Sequence, residues 1–200
     1  MFHYISGVAA ELLPGAAVID CGGVGFHINT SSYTLSQLKT GEKAKLYTYV
    51  YIREDAFDIY GFASQSEKRC FELLLGVSGV GPKAAAAILS VNTPESLAMS
   101  ILSEDEKAIT AAPGVGKKIA QRVILELKDK MAKSTESISF GTAAFQAPLQ
   151  AGNSKLDDAT AALVVLGYST AEISAALRAV NAEELTLEQT IKAALKQMIK

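Results

Sequence analysis

The stretch GVSGVGPKAAAAIL (76–89) is echoed further along the chain by APGVGKKIAQRVIL (112–125). In both, a helix-like run precedes a Gly-Val-Gly triplet and another follows it. The triplet is Gly79, Val80 and Gly81 in the first copy and Gly114, Val115 and Gly116 in the second. Lys83 follows the first; Lys117, Lys118 and, one turn later, Arg122 follow the second. A helix that starts directly after glycines carries unpaired backbone N–H groups in its first turn. Those donors and the helix dipole attract an anion. Glycine permits the tight turn and a close approach of phosphate to the backbone. Val80 and Val115 are expected to pack inward and lock each hairpin. Such contacts hold a duplex by its phosphates without reading bases. The alternative is two glycine-rich turns with no ligand; the duplication, with lysine placed after the glycines each time, argues for DNA. A nucleotide-binding P-loop needs G-x-x-x-x-G-K-[ST]. Ala111 stands where its first glycine would be and Lys118 replaces its Ser/Thr, so ATP hydrolysis by that route is not expected.

Outward from the repeat, residues 65–133 keep helical spacing. SEKRCFELLLGV places Phe71, Leu74 and Leu75 on one face. Thr93 is a candidate N-cap with Pro94 behind it, and Ser103 with Glu106 has capping-box spacing. Residues 1–64 read instead as β. KAKLYTYVYIR alternates, with Tyr47, Tyr49 and Tyr51 on one face and Leu46, Val50 and Ile52 on the other, and VIDCGGVGFHINT reads as a glycine-bent hairpin. Five or six short strands suggest a small OB-like barrel. YVYIREDAFDIYGF (49–62) is one of its hairpins, with the adjacent acids Glu54 and Asp55 at the turn. Residues 134–155 lose periodicity and read as a flexible linker. Residues 156–200 return to three short helices, with Asp157 or Asp158, Ser169 and Thr186 as caps. The expected fold class is multidomain α+β: an N-terminal OB-like β-barrel, a central tandem helix–hairpin–helix domain and a small three-helix C-terminal domain.

Composition narrows the function. The chain has 200 residues, 49% hydrophobic and 20% charged, enough to bury a core. No apolar run approaches the roughly 20 residues needed to cross a bilayer, and no signal peptide is evident, so a cytoplasmic protein with no membrane partner is expected. Cys21 and Cys70 are too few and too far apart for a disulfide framework or a zinc ribbon. Net charge is −2, but residues 65–133 carry ten Lys/Arg against eight Asp/Glu, the only third with a basic excess. A polyanion site should therefore be local and built partly from backbone. His3 and His27 are too distant to form a ligand set, and no metal or cofactor is expected. Asp58 lies near Glu54 and Asp55, but no further acid or His is close in sequence, which argues against a catalytic or metal role. Turn solubility or repulsion of phosphate remain as readings of the pair.

With these motifs in order, the chain resembles the RuvA family of bacterial Holliday-junction-binding subunits. GVGPK and PGVGKK look like its tandem hairpins. GGVGF (22–26), REDA (53–56) followed by YGF (60–62), a loose linker and an LGY-containing helical domain (166–168) occur in the family's order. Helix–hairpin–helix motifs alone are shared with glycosylases, ligases and nucleases; their combination with REDA…YGF is far more specific. The resemblance implies a homotetramer, or an octamer, that holds four-way junction DNA open for recombination and repair. It implies the hexameric ATPase RuvB as motor and the resolvase RuvC as a further partner. It assigns an acidic pin to Glu54 and Asp55 and phosphate contacts to the two hairpins with Lys83, Lys117, Lys118 and Arg122. Motor binding falls on Leu163, Leu166, Tyr168 and Leu195. A helix–hairpin–helix repair enzyme would instead cleave DNA with a divalent metal, and a protein-binding adaptor would show no salt-sensitive DNA binding.

Overall fold

A computed structural model describes residues 2–54, 56–137, 155–180 and 185–198; of 131–137, 155 and 157 only the backbone is described. Asp55 and residues 138–154, most of the expected linker, lie outside the described residues.

Alternation of apolar and polar residues produces β1 (Tyr4–Leu13), β2 (Ala16–Asp20), β3 (Gly25–Asn29), β4 (Lys43–Ile52) and β5 (Phe57–Phe62), with a short helix α1 (Ser32–Leu35) between β3 and β4. The strands close into a barrel in the order β1-β2-β3-β5-β4. Its inward residues, Ile5, Ala9, Ala17, Ile19, Ile28, Leu46 and Ile59, form a core of their own. The long β1 pairs with β4 through Tyr4–Val8 and with β2 through Val8–Leu13, with a register shift between Ala9 and Glu11. Such an irregularity bends a strand, which lets one strand wrap two neighbours.

The period changes after β5. Ser64 caps α2 (Gln65–Leu75) by accepting from the Glu67 N–H. Phe71 of α2 is fully buried against the barrel, with ring centroids 5.6 Å from Tyr49, 5.1 Å from Tyr60 and 4.8 Å from Phe62. Burying a ring of this size contributes about 1.5–3 kcal/mol. A second tie lies beside it. Glu67, fully buried, accepts hydrogen bonds from the hydroxyls of Ser31 and, at 2.6 Å, Thr34, and the Ala63 N–H donates to Thr34 Oγ1 at 2.9 Å. Burial raises the Glu67 carboxyl above its ordinary value, and the bonds it accepts offset part of that rise. Barrel and helices are thus joined by an aromatic cluster and a satisfied polar one.

The helical part continues with α3 (Pro82–Val91), α4 (Pro94–Leu102), α5 (Glu106–Thr110) and α6 (Lys117–Ser137). Thr93 caps α4 as expected, with Pro94 in its first turn. The capping box expected from Ser103 and Glu106 does not form. Asp105 caps α5 through Oδ1, while the Ser103 hydroxyl donates back to Met99 O at the end of α4. The chain turns between them at Glu104, whose φ is 55°. Helix α6 runs four residues into the segment read as linker (134–137).

Helices α7 (Lys155–Val165), α8 (Thr170–Arg178) and α9 (Leu187–Met198) follow. Ser169 and Glu172 form a reciprocal capping box on α8. Thr186 and Gln189 exchange equivalent bonds of 2.9 and 3.3 Å at α9. Asp157 and Asp158 fall inside α7, which already starts at Lys155, so neither is its cap. Three helices this short make only a marginal core of their own. They complete one against the central helices, in a single cluster that includes Cys70, Leu97, Leu127, Leu163 and Leu195. Among the described residues no single helix is long and apolar enough to cross a membrane.

Candidate nucleic-acid interface

The two Gly-Val-Gly hairpins have the same local construction. Gly79 and Gly114 sit at φ +88° and +77°, the left-handed region that L side chains avoid. Val80 and Val115 point inward, 6% and 5% exposed, and each donates its N–H three residues back, to Val77 O and Ala112 O, at 3.1 Å. Gly81 then caps α3 without a side-chain hydrogen bond, Pro82 takes the first helical position, and the Gly81 carbonyl accepts from Ala85 N at 2.9 Å. The Gly116 carbonyl accepts from Ile119 and Ala120 at 3.0 Å at the start of α6. A Cβ at Gly81 or Gly116 would meet no atom within 4 Å, and neither residue has a positive φ. Nothing among the described residues requires glycine at these two positions.

The basic residues stand around these helix starts. Lys83, Lys117, Lys118 and Arg122 are exposed. Lys117 Nζ lies 3.8 Å from Glu106 Oε2, but at 74% exposure that pairing is weak and solvent-screened. Arg122 reaches across to the first hairpin and donates to both the carbonyl and the hydroxyl of Ser78 at 3.4 Å. The groove between the hairpins is lined by Ser78, Gly79, Lys118, Ile119, Gln121 and Arg122. Sequence reasoning placed Arg122 near the second hairpin only and missed Ser78 altogether. The one local signal was a hydroxyl directly before Gly79.

In the barrel, β4 and β5 form the hairpin that carries the acids. Its turn is closed by the Arg53 N–H donating to Ala56 O at 2.9 Å, which leaves Glu54 exposed at the tip. Arg53 folds back: Nε donates to the Tyr51 hydroxyl at 2.6 Å, and the guanidinium lies 4.8 Å over the Tyr51 ring. The three tyrosines on this face of β4 make different contacts along the row. Tyr49 packs edge-on to Phe71, and Tyr47 shares the Lys45 ammonium with Tyr4. Because α2 is both the anchor on the barrel and the first helix of the first hairpin, the acidic tip and the glycine hairpins belong to one framework.

The C-terminal residues assigned to a motor lie in the core. Leu163, Leu166, Tyr168 and Leu195 are 0, 3, 7 and 0% exposed and pack into the helical core instead of standing at the surface. Gly167, at φ +96°, brings the α7–α8 turn onto α2; a Cβ there would lie 2.8 Å from Arg69 Cβ. The Tyr168 hydroxyl donates to Glu95 Oε1 of α4 at 3.0 Å, and burial, with Glu95 beside it, raises its pKa. Among the described residues, the large apolar side chains that this unit exposes are Leu156 and Val164.

Comparison with known proteins matches this architecture piece by piece. Residues 1–61 match the family model described as RuvA N terminal domain, 71–129 the SAM-like Helix-hairpin-helix tandem, and 154–199 the RuvA, C-terminal domain. A protein of Acetivibrio thermocellus is 44% identical over 197 residues, covering 98% of both chains. One of Ruminiclostridium cellulolyticum is 39% identical over 199 residues, covering 99% of this chain and 100% of its own. One of Streptomyces coelicolor is 45% identical over 180 residues, covering 90% and 86%. Each of the three is named Holliday junction branch migration complex subunit RuvA.

Proposed function

The chain belongs to the RuvA family, and from that premise we propose that it is a non-catalytic, DNA-binding subunit of a branch migration complex that seats four-way junctions. The observation that carries the reading is the pair of equivalent hairpins. Each ends in a glycine that no internal packing or dihedral requires, set beside exposed lysines. Glycine is accounted for there if a phosphate approaches the helix start from outside. Phosphate contacts without base contacts recognise the course of the backbone, not its sequence.

In this reading Gly79, Val80, Gly81 and Lys83 form one phosphate site, and Gly114, Val115, Gly116, Lys117, Lys118 and Arg122 the other. Four copies of the chain around a junction supply two sites to each arm. Glu54 and Asp55 face the crossover and repel phosphates that would cross it. The hexameric ATPase RuvB supplies the free energy of migration, docking through the C-terminal helices, and RuvC shares the same junction. All of this takes place in the cytoplasm. Since Leu163, Leu166, Tyr168 and Leu195 are buried, motor binding by these four requires a rearrangement that exposes them.

The test is a gel-shift titration on a four-way junction and on duplex of matched length, with and without magnesium, followed by a check for strand cleavage. Preference for the junction without cleavage is expected. Equal affinity for both substrates would sink the junction reading, and metal-dependent cleavage would turn it into that of a nuclease.

A further inference from the structure

Hairpin β4–β5 outruns the barrel that it helps to close. Val50 and Ile59 are cross-strand partners on the barrel's inner face, 9% and 6% exposed. The next pair outward on that face, Ile52 and Phe57, is 67% and 60% exposed. The opposite face of the same projection is polar, with Tyr51 paired to Asp58 and Arg53 folded over Tyr51. The projection therefore has one charged face, one apolar face and an acidic tip at Glu54. Solubility accounts for the tip but not for two large apolar side chains immediately behind it.

We infer that Ile52 and Phe57 form an apolar wedge that packs against base-pair faces laid open at the crossover of a DNA junction. The inference rests on the junction-binding reading and adds a contact with bases to it. Charge selects the occupant. A phosphate brought to this face would lie beside the carboxylates of the tip, whereas an unstacked base presents an uncharged, apolar surface. Size selects it too. A stable contact between two protein copies takes about 800 Å² per partner, more than these two side chains can offer. A Phe or Ile wedge against a base step is a recurrent way of holding DNA kinked or unstacked. The rigid link from this hairpin through Phe71 and Glu67 to the phosphate sites sets the wedge at a constant offset from the arms they hold.

The test uses synthetic four-way junctions with 2-aminopurine next to the crossover, and the full-length protein. Binding of the wild type is expected to raise the fluorescence as the base unstacks. The variant Ile52→Thr with Phe57→Thr places a β-branched residue suited to a strand at both positions. It should hold junction affinity within about threefold, because phosphate contacts dominate it, while losing most of the fluorescence rise. Phe57→Tyr, which keeps a ring, should retain the rise. An undiminished rise in the double-Thr variant overturns the inference. So does a fall in its assembly mass by sedimentation, which would make the pair a contact between copies. A wild type that binds duplex as tightly as junction removes the junction reading, and the wedge with it.

Discussion

Arg122 donates to the carbonyl and the hydroxyl of Ser78, two acceptors on the other hairpin. The contact joins the two glycine hairpins and leaves further guanidinium donors for a ligand. Arg122→Ala is expected to lower the salt slope of junction binding by about one, and Lys117→Ala with Lys118→Ala by up to about two. Arg122→Lys should restore the slope but not the affinity, since an ammonium lacks the fork that serves Ser78 and phosphate together. Junction Kd measured across a salt series decides it; an unchanged slope would remove these residues from the interface.

Glycines at the hairpins should separate folding from binding. Gly79→Ala and Gly114→Ala force a Cβ into the left-handed region and should cost about 1–2 kcal/mol each in denaturant unfolding. Gly81→Ser and Gly116→Ser meet open space and give the following helix an ordinary cap, so stability should change by about 0.5 kcal/mol or less. The same hydroxyl competes for the N–H groups offered to phosphate, and DNA binding should weaken. Unaltered binding by both serine variants would mean that the helix starts do not face DNA.

Neutralising the acidic tip should change selectivity more than affinity. Glu54→Gln with Asp55→Asn is expected to keep junction binding and to strengthen binding of plain duplex, most at low salt, where charge repulsion is least screened. Paired titrations at two ionic strengths are the measurement. A duplex affinity that does not move would show that the tip does not discriminate by charge.

Glu67 gives stability a pH dependence of unusual sign for a carboxylate. Its pKa is raised in the folded protein, above the ordinary 4.5. The native state therefore holds this proton more tightly than the unfolded chain does. The stability it contributes is full below the ordinary value and is lost as pH rises through the folded one. Glu67→Gln cannot titrate, so the stability of the wild type minus that of the variant should fall as pH is raised from about 4 to 7. Denaturant midpoints at several pH values test this, and a flat difference would contradict it. Glu67→Ala, which strands the Ser31 and Thr34 hydroxyls, should cost about 1–3 kcal/mol.

Much of this arrangement was readable because its signals are local. The change from a two-residue to a helical period at the end of β5, the duplicated glycines and the Thr93 and Ser169 caps each depend on a few neighbouring residues. What failed depended on distance or competition. Ser103 lost its capping role to Asp105, two residues on, whose carboxylate takes two N–H groups. The run 134–137 continues α6 because Ser, Thr and Glu do not break a helix whose hydrogen bonds are already propagating. Leu163, Leu166 and Leu195 have the right spacing for an apolar face, but spacing does not say whether that face stands at the surface or in the core, where the structure has it. Alternation put Ile52 on the same face as Leu46 and Val50 correctly. No local feature marks where the barrel beneath that face ends.

The cradles at Gly81 and Gly116 are built from main-chain groups that every base pair's backbone meets alike. A duplex shifted by one step along such a support finds the same donors at the same spacing, so no register is preferred and none becomes a trap. In the proposed reading, the two glycine turns would act as a bearing, firm across the groove and smooth along it, over which DNA could be drawn without breaking a sequence-specific grip at each step.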